Sequence, residues 1–522
     1  MSTEHIPAPD RIEAPPLAAR IGLVAGPILA ITAFLLLPDG DSGLPHAARA
    51  CGGVATLMAV WWMTEALPLE ATALLPLVLL PLTGVYSGPG PFKKAAAPFA
   101  DPAIFLFLGG FMIALAIERW GLHKRIALLT LLAVGTSPAR LIGGFMLATA
   151  LVSMWISNTA TTVMMLPIGL AVVQLLSARL GTTRNATEGV PYRADASDSD
   201  ASNFATCLLL GIAYAASIGG FATLVGTPPN VFFKGYMHER GLDIDFGRWM
   251  LFATPLSMLY LFLAWLLMTR LLFPIRTKQI TGGRELILGE LSKLGSMSRG
   301  EWIVLIVFLI TAVGWISNEY MKQWGWLTER LPFVKVIDDY LIAMTGAIVL
   351  FLIPVDPARH IFALDWKTAI KLPWGVLLLF GGGLSLAAAL TESGLAAWIG
   401  HQVSALRSLP TYWQIVLLVA LIVFSGELTN NLAAVVAMLP ILFEVAIGME
   451  LDPLLFCVPA VIAASCGFML PVATPPNAIV FGSGHIPLRQ MVRAGFLLDV
   501  LALLLIPVFT YLCGAAILGI KM

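Results

Sequence analysis

Trp155-Ile156-Ser157-Asn158-Thr159-Ala160-Thr161-Thr162 forms a polar knot at the middle of an apolar run from Leu141 to Leu176. A helix of that length would reach about 54 Å, against about 30 Å for the hydrocarbon core of a bilayer. One straight crossing does not fit. Uncharged Ser, Asn and Thr at the centre point to a break, and irregular backbone persists at membrane depth only inside protein or beside water. The break is a candidate binding site. The chain repeats the pattern at Glu427-Leu428-Thr429-Asn430-Asn431-Leu432-Ala433-Ala434, within the mostly apolar run Tyr412 to Ile447.

With 58% hydrophobic and 12% charged residues over 522 positions, too few polar side chains remain to cover a soluble surface. The chain reads as an all-α polytopic membrane protein in the lipid bilayer of the cell inner (plasma) membrane. Net charge is zero and no basic cluster is interleaved with aromatics, so no nucleic-acid partner is expected. Cys51, Cys207, Cys457, Cys466 and Cys513 show neither metal-ligand spacing nor an evident pairing and read as buried thiols. Residues 1–20 read as a cytoplasmic tail, polar and Pro-rich, without the basic start of a cleaved signal peptide.

Spans are expected at Ile21–Leu37, Cys51–Leu67, Leu69–Tyr86 and Pro102–Trp120, followed by an interfacial helix at Lys124–Val134. Glu65, beside Trp61 and Trp62, suits an interfacial anchor. After the broken run, Gly181–Asn203 reads as a flexible polar insert, with an idle sequon at Asn185. Phe204–Val225 ends in Gly226-Thr227-Pro228-Pro229-Asn230, where two prolines remove two backbone donors and break a second helix. Trp249–Phe273 completes a first half, residues 21–275, and a hydrophilic cytoplasmic linker follows at 276–299. The second half, 300–522, supplies spans at Trp302–Ile316, Tyr340–Pro354 and Pro373–Trp398, then the run 412–447. Leu454–Val472 leads into Ala473-Thr474-Pro475-Pro476-Asn477, and Phe496–Leu518 ends the chain.

The halves are copies. One offset, 273 residues, places Gly109-Gly110 on Gly382-Gly383, Gly121-Leu122 on Gly394-Leu395, Asn158 on Asn431 and Met165-Leu166-Pro167 on Met438-Leu439-Pro440. The Thr-Pro-Pro-Asn boxes are 247 apart, the difference matching the polar insert of the first half. Treating each broken run as a re-entrant hairpin gives eleven crossings plus two hairpins, six crossings before the linker and five after. Placing most Lys and Arg inside sets the N-terminus in the cytoplasm and the C-terminus outside. The second copy is then inverted, and the tips at Asn158 and Asn431 approach from opposite faces, as in inverted-repeat transporters.

Each break offers hydroxyls, an Asn amide and unwound backbone, with no Lys, Arg, His or Cys. Oxygens suit a hard cation, and free amides at helix starts suit an anion. An anion held without an arginine depends on bound cations, which makes their binding mutual, the physical content of symport. A lone Ser, Thr or Asn in such a helix is more often an interhelical hydrogen-bonding group; two paired sets reverse those odds. Glu427, where the first copy has Met154, reads as a hydrogen-bonded structural acid. An enzyme is not expected, because the breaks hold no nucleophile–base pair or metal cluster.

Trp62-Met63-Thr64-Glu65 with Pro68, Ser157-Asn158-Thr159 and the two Thr-Pro-Pro-Asn boxes make the chain, from about Trp61 to Phe481, resemble the divalent anion/sodium symporter family. The resemblance implies a homodimer with a scaffold and a transport domain that moves as an elevator, carrying sodium ions with a small anionic substrate. The expected substrate is a di- or tricarboxylate such as succinate, malate, fumarate or citrate. The resemblance implies a first sodium site at Ser153, Ser157, Asn158 and Gly226. It implies a second at Gly426, Thr429, Asn431 and Ala473, and substrate contacts at Asn158, Thr159, Asn431, Thr474 and Pro475. The second motif departs from the family pattern, reading Asn430-Asn431-Leu432 where Ser-Asn-Thr is usual, so one hydroxyl contact to a carboxylate is lost or replaced. Alternatives to symport are a sodium-independent dicarboxylate exchanger and an anion channel.

Overall fold

Apolar segments satisfy their own backbone groups as helices, the form a membrane interior requires of an open chain. The computed structural model describes residues 17–39, 43–135, 137–179, 199–275, 283–402 and 409–521. The first half runs α1 (Leu17–Leu36), α2 (His46–Thr64), α3 (Leu69–Ala73), α4 (Leu75–Leu82), α5 (Pro91–Ala96) and α6 (Pro102–Arg119). It continues through α7 (Leu122–Val134), α8 (Pro138–Ser153), α9 (Asn158–Arg179), α10 (Ser199–Gly220), α11 (Pro228–His238) and α12 (Phe246–Leu266). Next come α13 (Gly283–Lys293), α14 (Arg299–Gln323), α15 (Gly325–Arg330), α16 (Asp339–Leu352), α17 (Trp366–Ala369) and α18 (Trp374–Glu392). The chain ends with α19 (Leu395–Gln402), α20 (Thr411–Gly426), α21 (Asn431–Gly448), α22 (Leu454–Ala464), α23 (Pro475–Gly482) and α24 (Leu488–Leu518). A two-stranded antiparallel hairpin, β1 (Pro354–Asp356) and β2 (Ile361–Phe362), follows α16.

Among the described residues nine helices are long and apolar enough to cross a membrane. The shorter apolar helices include α8, α20 and α22, which stop at the polar breaks. Four expected boundaries differ. Leu69–Tyr86 is split at Leu74, because Pro76 has no N–H to continue the ladder. Pro373–Trp398 is split at Gly394, whose φ of +79° matches the +72° of Gly121 between α6 and α7. Both turns use the left-handed backbone that glycine adopts freely. The linker contains α13, and Ser199–Asn203 form the first turn of α10 rather than the end of a polar insert. Asn185 lies outside the described residues.

The duplicated glycines explain how the halves interlock. Gly109 of α6 lies against Ala343 of α16, and Gly382 of α18 lies against Ala73 of α3. Each copy thus packs its glycine on a helix of the other. The broken helices do likewise: α11 packs on α21, and α23 packs on α9. A buried ion pair fastens this frame, with Lys234 Nζ of α11 at 2.7 Å from Asp339 Oδ2 of α16 and the two side chains 1% and 4% exposed. Lys234 also donates to the Ile244 carbonyl, and Asp339 accepts from the Phe246 amide, so both charges are hydrogen-bonded as burial demands.

Candidate site at the paired helix breaks

In the first copy α8 ends at Ser153, a turn follows, and α9 starts at Asn158. Ser157 Oγ accepts from the Ala160 amide, satisfying one of the free donors of the new helix. Ser153 Oγ stands 2.6 Å from Asn158 Oδ1 and 2.7 Å from the Ala216 carbonyl oxygen. One hydroxyl proton serves only one of these acceptors at a time. The Ala216 carbonyl also accepts within the helical ladder of α10, so if the hydroxyl proton goes there Asn158 Oδ1 keeps lone pairs to spare for a cation.

The unwound stretch between α10 and α11 closes the other side. A Cβ on Gly220 would come within 2.3 Å of Asn158 Oδ1, and one on Gly226 within 2.3 Å of the Gly220 carbonyl oxygen and 2.8 Å of that of Met154. Glycine is required at both positions because those oxygens occupy the space of a side chain. Thr223 Oγ1 donates to the Met154 carbonyl and accepts from the Gly226 amide, tying the unwound stretch to the hairpin. Asn230 Nδ2 donates to the carbonyls of Phe221 and Thr223. The Asn of each Pro-Pro-Asn box is thus a staple for its own unwound segment. The first unwound segment, 221–227, is buried throughout.

The second copy repeats this with different chemistry. Asn477 Nδ2 donates to the carbonyls of Gly467 and Leu470 at 3.1 and 3.0 Å. Where the first copy joins Met154 to Thr223, here Glu427 accepts the amides of Met469 and Leu470, each at 2.8 Å, one on each carboxylate oxygen. This agrees with the expectation of a hydrogen-bonded structural acid. Asn431 Oδ1 is buried without a donor, and Thr429 Oγ1 donates to the Ser425 carbonyl. Gly426 has open space about its α-carbon, so this site is looser than the first. Ala473 and Thr474 are buried, Pro475 and Thr159 are exposed, and the second unwound stretch opens at Val472, 75% exposed.

At the altered motif, Asn430 Oδ1 accepts from the amides of Leu432 and Ala433 as the N-cap of α21. Its oxygen is committed to the helix start, the task Ser157 performs in the first copy. Leu432 is 5% exposed and belongs to the apolar core, whereas Thr159 is exposed. Sequence reasoning missed Thr223 as a bridge and the Lys234–Asp339 pair. A basic residue five positions past Pro229 in a buried half-helix, and an acid opening an apolar run at Asp339, were the available signals.

The family model described as the sodium:sulfate symporter transmembrane region matches residues 20–520. A sodium-dependent dicarboxylate transporter, SdcS, of Staphylococcus saprophyticus is 40% identical over 506 residues, covering 96% of this chain and 92% of that protein. SdcS of Staphylococcus aureus strain USA300 is 37% identical over 503 residues, with the same coverages of 96% and 92%. Among solved structures, the YdaH transporter of Alcanivorax borkumensis aligns with a TM-score of 0.57 at 15% identity, covering 91% of this chain and 100% of that one. MtrF of Neisseria gonorrhoeae aligns with a TM-score of 0.52 at 13% identity, covering 96% and 97%. At those identities the likeness is one of fold, that of a membrane transporter. By a match across nearly its whole length, the chain belongs to the sodium:sulfate symporter transmembrane family.

Proposed function

We propose that the protein is a secondary active transporter that moves a small dicarboxylate together with sodium across the plasma membrane. The surplus of acceptor oxygens over donors at the two hairpin tips carries this reading: the Ser153 hydroxyl, with one proton, lies within reach of both Asn158 Oδ1 and the Ala216 carbonyl, and Asn431 Oδ1 has no donor. A hard cation supplies what those oxygens lack. Ser153, Ser157, Asn158 and Gly226 would hold one sodium, and Gly426, Thr429, Asn431 and Ala473 another, the latter largely through main-chain oxygens. The bound ions supply positive charge that the breaks, free of Lys and Arg, do not contain.

Helices α9, α11, α21 and α23 all start at the breaks, and their N-terminal amides favour an anion. Asn158, Thr159, Asn431, Thr474 and Pro475 would meet the substrate carboxylates there. The names of the staphylococcal relatives support sodium coupling and a dicarboxylate. The asymmetric exposure of the two unwound segments fits a site reached from one side at a time, as an elevator requires. A homodimer with its N-terminus inside and its C-terminus outside completes the proposal.

The test is uptake of labelled succinate into proteoliposomes with and without an inward sodium gradient. Sodium-driven accumulation supports the proposal; uptake indifferent to sodium that needs a trapped internal dicarboxylate would establish an exchanger instead, and sodium-independent current in a planar bilayer a channel.

A further inference from the structure

A stripe of exposed side chains runs the length of α14 at Trp302, Ile306, Leu309, Val313, Ile316 and Tyr320, spaced as one face of a helix. Trp324, four positions past Tyr320, continues it. From Trp302 to Trp324 is about 33 Å along a helix axis, close to the thickness of a hydrocarbon core, and tryptophan collects at both edges of that core. Beyond Trp324 the chain therefore enters the headgroup plane. The contacts of Gly109 on Ala343 and Gly382 on Ala73 make α16 the counterpart of α3. The joint before α3 is residues 65–68, whereas the joint before α16 is the much longer stretch 324–338. The extra chain forms an elbow, α15 followed by a 3₁₀ turn at Pro332–Val336, that rests on α14.

Thr328 and Val334 are buried, while Trp324, Trp326, Leu331, Phe333 and Val336 are between 42% and 73% exposed. Five large apolar side chains on one short segment are costly to leave in water. The bases on or beside the elbow are Lys322, Arg330 and Lys335, with Glu329 the acid among them; Asp338 is spent as the N-cap of α16. The Arg330 guanidinium lies 5.0 Å from the centre of the Trp326 ring. Apolar bulk with a surplus of bases is the composition of a segment that lies on an acidic bilayer surface. A second copy of the chain suits it less, because across a two-fold axis the same bases would face one another. We propose that the 324–338 elbow is a foot that rests in the headgroup plane and binds acidic phospholipid through Arg330 and Lys335. Its use follows from what α14 carries. Trp155, three residues before Asn158, stands edge-on to Phe308 of α14 at 5.0 Å and lies parallel to Trp315 at 6.5 Å. A foot that fixes α14 against the bilayer also fixes the surface on which the first hairpin tip leans.

The test places a nitroxide on Val336→Cys in a Cys513→Ser background, the other four native cysteines being buried. Its collisions are read with oxygen, which concentrates in lipid, and with a nickel chelate, which stays in water. The protein is reconstituted in vesicles of phosphatidylcholine alone or mixed with phosphatidylglycerol. Collisions with oxygen several-fold above those with nickel, rising further with phosphatidylglycerol, support the foot, and adding Arg330→Glu with Lys335→Glu should abolish that rise. A label that nickel reaches as freely as oxygen in both kinds of vesicle overturns it. So does a label shielded from both reagents and broadened by a second nitroxide, which would assign the elbow to contact between two copies. A depth indifferent to phosphatidylglycerol and unchanged by the two charge reversals removes the choice of acidic lipid, and the proposal with it. Succinate uptake plays no part in the readout, so failure here and failure of the transport reading are separate results.

Discussion

Gly382 is pressed against the carbonyl of Ala73: a Cβ built on it would lie 2.1 Å from that oxygen. Its duplicate, Gly109, meets the backbone of Ala343 at 2.7 Å in the same way, so the two contacts exchange partners between the copies. Backbone cannot yield as a flexible side chain does. Gly382→Val is therefore expected to force the helices apart at a cost of about 1–3 kcal/mol, read as a lower melting temperature in detergent. A melting temperature equal to that of the wild type would show that the crossing is not tight.

Asn158→Ala and Asn431→Ala should each abolish sodium-driven succinate uptake while leaving expression and elution volume unchanged. The Asn158 oxygen is within reach of the Ser153 hydroxyl and that of Asn431 has no donor, so at the second site truncation removes no hydrogen bond to that oxygen, only the proposed cation ligand. Near-normal uptake by both variants would return these residues to a purely structural role.

Leu432→Thr restores a hydroxyl at the altered motif. A hydrogen bond to a charged acceptor contributes about 1.5–3 kcal/mol, so competition by a panel of dicarboxylates should change by about tenfold or more for at least one member. An unchanged panel would remove position 432 from the pocket, consistent with its burial in the core.

Asn477→Ala releases the carbonyls of Gly467 and Leu470 together. A destabilisation of about 1–3 kcal/mol is expected, with loss of uptake larger than the stability loss explains, because the same loop carries Thr474. Equal loss in a transport assay and in a melting curve would reduce the residue to a fold determinant.

Lys234→Met leaves Asp339 buried without its cation, and about 3–5 kcal/mol of destabilisation is expected. The double variant Lys234→Met, Asp339→Asn should recover much of that loss. A double variant as unstable as the single one would show that the pair acts through packing and not through charge.

Hydropathy and the 273-residue offset made the helices, both hairpins and both Pro-Pro-Asn breaks legible, because membrane helices state their length in apolar residues. The splits at Leu74 and Gly394 were harder to read, since a proline or glycine within an apolar run often leaves a helix continuous. At the site, sequence named the residues at both tips but not their connections. The Thr223 bridge spans 69 positions to Met154, and Glu427 reaches 42 and 43 positions to its amides, distances no local pattern encodes. The role of Asn430 was equally hidden: as a side chain it resembles a ligand, and only the geometry of α21 reveals a helix cap.

The exchange of partners between copies bears on how the chain is made. When the first 275 residues have been inserted, α3, α6, α9 and α11 still lack the surfaces of α18, α16, α23 and α21 that cover them. The nascent protein is an unfinished assembly until α24, which packs on α12 and ends at Leu518, has been made. Folding must be held open across most of translation, and a chain interrupted anywhere in its second half would present those uncovered faces to the machinery that removes incomplete membrane proteins.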